Sequence, residues 1–189
     1  MLVGVRALII VDVQNDFCEG GSLAVTGGTA VALGINGLLA GEHGYDYVVA
    51  TQDHHIDPGG HFSDNPDFVD SWPRHCVAGT TGADFQPQLD TRAIDAVFRK
   101  GEYAAAYSGF EGSADGVGLA AWLTRRGVDE IDVVGIATDY CVRATAEDGA
   151  RAGFATRVLT DLTAGVSPDS TMAALAGMRG AGVHLVTGR

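Results

Sequence analysis

The stretch IDVVGIATDYCVRATAEDGARAGFATRVLTD, residues 131–161, holds two apolar runs separated by a segment with the composition of a helix. The runs at 131–137 and 156–161 are rich in Val, Ile and Leu, which is typical of strands buried on both faces of a sheet. The segment 139–153 between them is rich in Ala and predicts a helix. Because neighbouring parallel strands are usually joined by a helix, this stretch predicts an α/β fold.

The same alternation continues towards both ends of the chain. Further strands are predicted at 7–13, 47–53, 96–101 and 184–187, and further helices at 27–41, 117–127 and 167–182. Ser167, Pro168 and Asp169 suit the N-cap, the first helical position and the positive end of the last helix. The alternation predicts a parallel sheet sandwiched between helix layers.

The region 54–95 interrupts this rhythm, because it joins two predicted strands with little helical pattern and is rich in Gly, Pro and Asp. The stretch 50–79 overlaps it and contains four of the six histidines of the chain. Long ordered loops in compact domains are usually functional. We therefore expect part of the functional site in this loop.

Composition restricts the class of protein. With 189 residues, 46% of them hydrophobic, the chain is predicted to form one domain over 1–189. Its net charge of −12 would repel a phosphate backbone and anionic lipid, so neither nucleic acid nor a membrane is an expected partner. Asp12 interrupts the N-terminal apolar run, which resembles neither a secretion signal nor a membrane span. A cytoplasmic protein with reduced cysteines is expected.

Polar residues stand at the ends of four predicted strands. Asp12, Asp53 and Lys100 close three of them, and Cys141 lies four residues past the fourth. Each residue alone has an ordinary structural role, as a turn cap, a solvated amine or a small core residue. In open α/β sheets, however, ligands bind beyond the carboxyl ends of the strands. A carboxylate, an amine and a thiol at one such edge predict a catalytic site.

The chemistry of this set favours acyl transfer. A thiol has a reference pKa of ~8.5 and becomes a nucleophile when a base or positive potential produces the thiolate. Cys141 is predicted at a helix N-terminus, where backbone N–H groups favour a thiolate and can hold an oxyanion. Asp12 is the candidate base and Lys100 the candidate positive neighbour. Cys18 and Cys76 lack that combination of surroundings.

The histidines suggest a metal centre. Asp53 and His55 are two residues apart in an extended segment and project the same way, whereas His54 points oppositely. His61 follows after a Gly-rich turn, and His75 approaches from the far side of the loop. Imidazoles with a carboxylate suit zinc, iron or manganese. A polar loop with surface histidines is the alternative interpretation.

One ligand position is contested within the sequence itself. Cys76 lies beside His75 and is a competing metal ligand. Adjacent residues in an extended chain face opposite ways, so only one of the two is expected to bind.

Five segments resemble one family. They are ALIIVDVQNDFCEGGSLAV (7–25), TQDHHIDPGGHF (51–62), SWPRHCVAGTTGADF (71–85), KGEYAAAYSGFEG (100–112) and VVGIATDYCVRATAEDGARAGFATRVLTDLTAGVS (133–167). In this order they closely resemble the nicotinamidase/pyrazinamidase branch of the isochorismatase-like cysteine hydrolases, especially its actinobacterial members. The resemblance implies a three-layer α/β/α sandwich with a six-stranded parallel sheet.

The resemblance also implies an activity. Members deamidate nicotinamide to nicotinate and ammonia, and pyrazinamide to pyrazinoate, through a thioester acyl-enzyme, which implies a place in NAD salvage. One divalent transition metal, Fe²⁺, Zn²⁺ or Mn²⁺, and a small-molecule substrate are expected. The oligomeric state is left open between monomer and homo-oligomer.

Roles follow motif by motif from the same resemblance. Asp12 in VDVQNDF becomes the general base, Lys100 the third triad member and Cys141 the nucleophile. The implied metal ligands are Asp53, His55, His61 and His75, the implied cis peptide joins Ile136 and Ala137, and the implied substrate-binding residues are Phe17, Trp72 and Tyr103. The N–H groups of Ala137 and Cys141 form the implied oxyanion hole.

Two residues depart from the family pattern. His54 stands where the family usually has Trp or Phe, which affects the pocket wall and the choice of metal ligand between His54 and His55. Tyr140 stands beside the nucleophile where a close relative has His.

Rival classes fit less well. A dinucleotide-binding protein needs G-x-G-x-x-G after the first strand, which 11–21 does not supply. HCVAGTTG resembles the loop of cysteine phosphatases, yet Gly82 stands where their Arg is needed. A non-enzymatic metal-binding module leaves the strand-end residues unexplained. The remaining alternative is a sister hydrolase acting on another amide, a carbamoyl group or a vinyl ether, and Cys141 favours an amidase.

Overall fold

Eight strands form one sheet in the computed structural model of the protein, which describes residues 4–187. The strands are β1 Val5–Val11, β2 Tyr47–Asp53, β3 Ala96–Lys100, β4 Ser113–Ala114, β5 Val117–Gly118, β6 Val128–Ile136, β7 Ala155–Ala164 and β8 His184–Val186, in the spatial order β5-β4-β3-β2-β1-β6-β7-β8. Six of them are parallel, as predicted. The short antiparallel pair β4 and β5 was not predicted and extends one edge.

A two-residue turn produces this extra pair. Asp115 and Gly116 connect β4 to β5 with φ angles of 49° and 76°. Both angles lie in the left-handed region, which tight hairpin turns require and which Asp-Gly supplies readily. The strands have only two residues each, which is too short for a recognisable apolar alternation.

The central strand explains the layered architecture. β1 lies between β2 and β6, and Ala7 to Val11 have no exposed surface. Leu8 and Ile10 face one hydrophobic cluster, and Ile9 with its alternate neighbours faces a second. Because successive side chains of a strand point to opposite faces, a continuous apolar run needs helices on both sides.

Four α-helices cover the two faces of the sheet. They are α1 Gly28–Leu39, α2 Leu119–Thr124, α3 Arg143–Arg151 and α4 Pro168–Gly180. The cluster on one face includes α1, and that on the other includes α2, α3 and α4. The predicted α/β/α arrangement is therefore present. The N-cap of α4 is Ser167, whose side chain accepts a hydrogen bond from Ser170 N, and Pro168 begins the helix as predicted. Within residues 4–187, no helix has the length and apolar character needed to cross a membrane.

Two polar side chains from the segment after β1 hold the long loop. The buried amide of Gln14 donates to Asp53 O at 2.9 Å and to Ala83 O at 2.8 Å, and accepts from Asp53 N at 2.9 Å. Asp16 Oδ2 accepts from Cys76 N at 2.7 Å. The loop joining β2 to β3 is thereby fastened to the sheet, since its own local structure consists of short 3₁₀ turns and isolated bridges.

Candidate active site

The strand order brings the four predicted strand-end residues together. Asp12 directly follows β1, Asp53 and Lys100 are the last residues of β2 and β3, and Cys141 lies in a π-helical turn after β6. Asp53 and Lys100 are also register partners. All four residues are buried. Parallel strands place their carboxyl ends at one edge, so residues distant in sequence meet there.

Lys100 is the electrostatic centre of this group. Its Nζ lies 2.9 Å from Asp12 Oδ2 and 3.7 Å from Cys141 Sγ, and it donates to Asp53 Oδ1. Thr51 Oγ1 donates to the other oxygen of Asp12 at 2.6 Å. The φ of 48° at Asp12 is uncommon for a non-glycine residue and marks the end of the extended strand. Both carboxylates therefore share one ammonium group.

Burial determines the protonation of the group. It raises the pKa of Asp12 in spite of Lys100. Burial also raises the pKa of the Cys141 thiol well above its usual range. The positive charge of Lys100 acts in the other direction, but the negative charges of Asp12 and Asp53 offset it. The expectation that the surroundings favour the Cys141 thiolate is therefore wrong for this thiol at rest. Burial opposes ionisation of Asp53 as well, but the positive charge of Lys100 outweighs it and holds the pKa of Asp53 below its usual range.

A second group consists of three buried histidines. One ring nitrogen each of His55, His61 and His75 lies within 4.8 Å of the others. Asp53 Oδ2 is 3.5 Å from His55 Nε2 and 3.9 Å from His75 Nε2. His54 is less buried and stays outside the cluster, so the geometry selects His55 of the two neighbours.

The hydrogen bonds of the rings leave nitrogen lone pairs directed into the cluster. His55 Nδ1 lies 2.6 Å from Gly101 O, and His75 Nδ1 lies 2.7 Å from Pro73 O. Because a carbonyl only accepts, each Nδ1 carries the proton and each Nε2 is a free acceptor. Metal-bound histidines commonly have this arrangement. Burial lowers the pKa of His61 to about 4, which favours its neutral, ligating form.

Buried ring nitrogens without hydrogen-bond partners indicate whether these residues suit a metal. His55 Nε2 and His61 Nδ1 are buried and have no hydrogen-bond partner among residues 4–187. Such groups are costly unless something pairs with them. Three imidazoles beside the Asp53 carboxylate fit a divalent transition metal, whereas Cys76 lies outside the cluster and its pKa is raised by burial.

A close backbone approach supports His55. Gly101 has a φ of 76°, and a Cβ at this position would lie 2.6 Å from His55 Cε1. A glycine is therefore required directly after Lys100. This glycine places the carbonyl that accepts the hydrogen bond of His55.

A cavity of about 360 Å³ opens above the two groups. Cys141, Asp53, His61 and His75 contribute its polar lining, and its aromatic lining consists of Phe17, Phe68, Trp72, Tyr107 and Tyr140. A mostly apolar pocket of this size with a few converging polar groups is suited to a small planar molecule.

The placement of Tyr103 corrects one sequence-based assignment. This residue is 68% exposed, and it is not part of the cavity lining. Tyr107, four residues later, lines the cavity instead and accepts a hydrogen bond from Trp72 Nε1 at 3.0 Å. The segment EYAAAY offers two tyrosines, and the path of the chain beyond Gly101 brings only the second one to the site. Phe17 and Trp72 lie in the lining.

The turn that carries Cys141 has a particular backbone. The peptide bond between Ile136 and Ala137 is cis. Ala137 lines the cavity, and its carbonyl accepts from Tyr140 N and Val142 N, each at 3.1 Å. The predicted helix over 139–153 thus begins as a π-helical turn, Thr138–Val142, and continues as α3.

Asp139 is a site residue that sequence reasoning missed. It is buried, and its carboxylate accepts from Val166 N at 3.0 Å and from Ser170 Oγ. It ties the turn containing Cys141 to the start of α4. The only signal in the sequence was an acidic residue two positions before the nucleophile.

The sequence has close relatives among characterised hydrolases. Residues 6–189 match a family model described as the isochorismatase domain. A nicotinamidase/pyrazinamidase from Mycobacterium tuberculosis is 68% identical over 182 residues, which cover 96% of this chain and 98% of that protein. A nicotinamidase from Escherichia coli is 38% identical over 201 residues, which cover 96% of this chain and 94% of that protein.

Solved structures have the same fold. PnC1 from L. infantum in complex with nicotinate has a TM-score of 0.85 and 39% identity, covering 99% of this chain and 96% of that chain. The pyrazinamidase of Pyrococcus horikoshii in complex with zinc has a TM-score of 0.82 and 37% identity, covering 97% and 99%. These matches confirm the predicted fold class and the family resemblance. The chain belongs to the isochorismatase family.

Proposed function

We propose that the protein hydrolyses the carboxamide of nicotinamide to nicotinate and ammonia, and that of pyrazinamide to pyrazinoate. One observation carries the proposal: Cys141 lines a small aromatic cavity, with Lys100 Nζ 3.7 Å from its sulfur and an Asp12 oxygen within 4.8 Å. This arrangement suits nucleophilic attack on a flat amide. The activities named for the M. tuberculosis and E. coli relatives support the same substrate class.

Asp12 is the proton carrier in this proposal. Since burial raises the pKa of both Asp12 and Cys141, the pair retains a proton that can move between them. As Sγ bonds to the amide carbon, the thiol proton passes to Asp12. The C–N bond then breaks, and Asp12 gives that proton to the leaving nitrogen, which departs as ammonia.

The second half of the reaction uses the same residues. The product of the first half is a thioester on Cys141. Asp12, again a carboxylate, takes a proton from a water molecule as its oxygen bonds to the thioester carbon. The C–S bond breaks, Asp12 returns that proton to the sulfur, and the carboxylic acid that leaves gives its own proton to the solvent.

Backbone N–H groups and Lys100 stabilise the negative charges that form on the carbonyl oxygen and on the sulfur during these steps. The N–H groups of Ala137 and Cys141 are assigned to the oxyanion that forms on the attacked carbonyl. Burial disfavours a charged amine, but Asp12 and Asp53 outweigh it and raise the pKa of Lys100, so it stays cationic beside the sulfur. A fixed positive charge there stabilises a developing thiolate.

The metal site belongs to the same proposal. Asp53, His55, His61 and His75 would hold a divalent metal, with Fe²⁺, Zn²⁺ and Mn²⁺ as the candidates. When bound, such an ion supplies an electrophile that orients the ring of the substrate, since the nucleophile is Cys141. Phe17, Trp72 and Tyr107 line the cavity and would enclose the ring from the sides.

The wider setting is proposed with the reaction. We take residues 1–189 as one domain that acts on a small molecule in the cytoplasm and contributes to NAD salvage. A hydrolase for another amide or a carbamoyl group is the competing function, because the triad would serve it equally.

Ammonia release separates these functions. Purified, metal-analysed protein is assayed with nicotinamide, pyrazinamide and a carbamoyl substrate, alongside Cys141→Ala and a control, Cys18→Ala, in the core. We expect ammonia from both aromatic amides, loss with Cys141→Ala and retention with Cys18→Ala. Ammonia from the carbamoyl substrate alone would assign the protein to the competing function.

A further inference from the structure

A recess of about 770 Å³ lies beside β3 and α2. It shares no lining residue with the cavity that contains Cys141. Tyr47 and Ala96, the first residues of β2 and β3, line it, whereas the last residues of these strands contribute to the active site. Val97 and Arg99 of β3 also line it, so the recess runs along this strand and is separate from the cavity that contains Cys141.

The cations of the chain are unevenly distributed around this recess. Of the eleven Lys and Arg side chains within residues 4–187, six lie within 4.0 Å of a carboxylate of the same range. The five that do not are Arg74, Arg99, Arg125, Arg126 and Arg179. Arg99, Arg125 and Arg126 all line the recess. The chain has a net charge of −12. Within residues 4–187, three of the five arginines that lack an ion pair nevertheless line this one recess.

The wall of the recess holds one guanidinium in place. Arg126 lies over the ring of Trp122, 3.6 Å from the centroid, and 5.8 Å from the centroid of Tyr47. Its Nη1 donates to Trp122 O at 3.3 Å, which occupies one of its five donors. A guanidinium that is already oriented loses less entropy when it binds an anion.

The carboxylates of the recess do not cancel these charges. Asp95 and Asp115 are its acidic lining residues, against three arginines. Asp95 Oδ2 already accepts a hydrogen bond from Val48 N at 2.8 Å. The recess is thus a local positive region on an acidic protein, which attracts anions.

We propose that this recess binds a phosphate-bearing small molecule of nucleotide size. The planar forks of Arg99, Arg125 and Arg126 match the oxygens of a phosphate group. The volume exceeds what inorganic phosphate fills, and Trp122 and Val97 provide apolar surface for an organic part. Because the recess is separate from the active-site cavity, a ligand there leaves access to Cys141 open.

Calorimetric titration of the metal-loaded protein tests this site. AMP is the probe, and adenosine at equal ionic strength is its uncharged match. We expect one AMP to bind per chain and adenosine to bind at least about tenfold more weakly, because charge-assisted hydrogen bonds are the stronger ones. Arg125→Gln/Arg126→Gln should weaken AMP binding by at least about tenfold.

A matched double variant controls for charge alone. Arg74→Gln/Arg179→Gln removes the same charge from the two arginines that lack ion pairs and lie outside the recess. It should bind AMP like the parent. Unchanged ammonia release by both double variants shows that they are folded. If Arg125→Gln/Arg126→Gln does not fold, the single variant Arg99→Gln replaces it.

Several results would overturn the site. The proposal is wrong if neither AMP nor ribose 5-phosphate binds at millimolar concentration, or if the two double variants weaken AMP binding equally. It is also wrong if nicotinate displaces AMP. The last result would assign the binding to the active-site cavity instead.

Discussion

Asp12 directly follows the central strand. Its carboxylate accepts a hydrogen bond from Thr51 Oγ1 through one oxygen, and Lys100 Nζ lies 2.9 Å from the other. Asp12→Asn preserves the shape and the acceptor for Thr51 but removes the proton acceptor. We expect turnover to fall about 10²- to 10⁴-fold, the usual contribution of a general base. Folding and metal content should be retained, as measured by circular dichroism and metal analysis.

Asp57→Asn is the control, because Asp57 is exposed. Its turnover should match the parent. An Asp12→Asn enzyme within a few-fold of the parent would reduce Asp12 to a structural cap at the end of β1.

The histidine pair His54 and His55 offers a comparison within one dipeptide. His61→Ala and His55→Ala should lose metal and need much more substrate for the same rate, since each removes one ring of the cluster. His54→Ala should keep both properties, because His54 lies outside the cluster. Metal content per chain and substrate-dependent ammonia release provide the two measurements. Full metal content with normal kinetics in both ligand variants would rule out the assignment.

The three cysteines differ in access as well as in electrostatics. Cys141 lines the cavity, whereas Cys18 and Cys76 are packed in the core with 2% and 0% exposure. Iodoacetamide should therefore modify Cys141 first, with loss of activity in parallel and protection by nicotinamide, as followed by peptide mass mapping. The label should appear slowly below neutral pH, because burial raises the pKa of this thiol. Early modification of Cys76 with Cys141 intact and activity lost would contradict the mechanism.

At the level of elements, the π-helical turn and α4 depend on each other. Asp139 connects them by accepting from Val166 N and Ser170 Oγ. Asp139→Asn should lower the free energy of unfolding by about 1–3 kcal/mol, because a buried charged acceptor is lost. Turnover should fall as well, since the turn positions Cys141.

Urea unfolding and ammonia release measure the two effects of Asp139→Asn. Asp169→Asn, at the exposed start of α4, removes the same charge as a control and should change stability far less. Equal stability of the two variants would show that Asp139 does not couple the elements.

At the level of the whole molecule, Asp132 joins three strands and the segment before β2. It accepts from Arg157 Nε at 2.6 Å, from Arg6 Nη2 at 3.1 Å and from Tyr45 OH. Burial works against its charge, but these partners hold the pKa of Asp132 below its usual value. The network therefore stabilises the folded state only while Asp132 is ionised.

The sign of the pH effect follows from that lowered pKa. The contribution is complete above the unfolded pKa of ~3.9 and is lost as pH falls through the lower, folded value. We expect Asp132→Asn to be less stable than the parent by a constant amount between about pH 5 and 7, with the gap closing below about pH 4. Urea unfolding over this range measures it. A gap that widens in acid would contradict the assignment.

The sequence by itself determined the parallel core and the edge at which the site lies. Apolar runs such as 131–137 predicted strands because each strand is buried on both faces, and their order along the chain required helical crossovers. Asp12, Asp53 and Lys100 could be placed together because each directly ends a predicted run. These are local properties, written in consecutive residues.

Only the tertiary structure decided the features that depend on the path of the loops. It placed Tyr107 rather than Tyr103 in the cavity, used Gln14 to fasten the long loop, and brought three arginines to one recess. It also reversed the expected shift in the pKa of Cys141. The physical reason is the same in each case: desolvation and charge coupling act through space, between side chains whose separation along the chain does not reveal their distance.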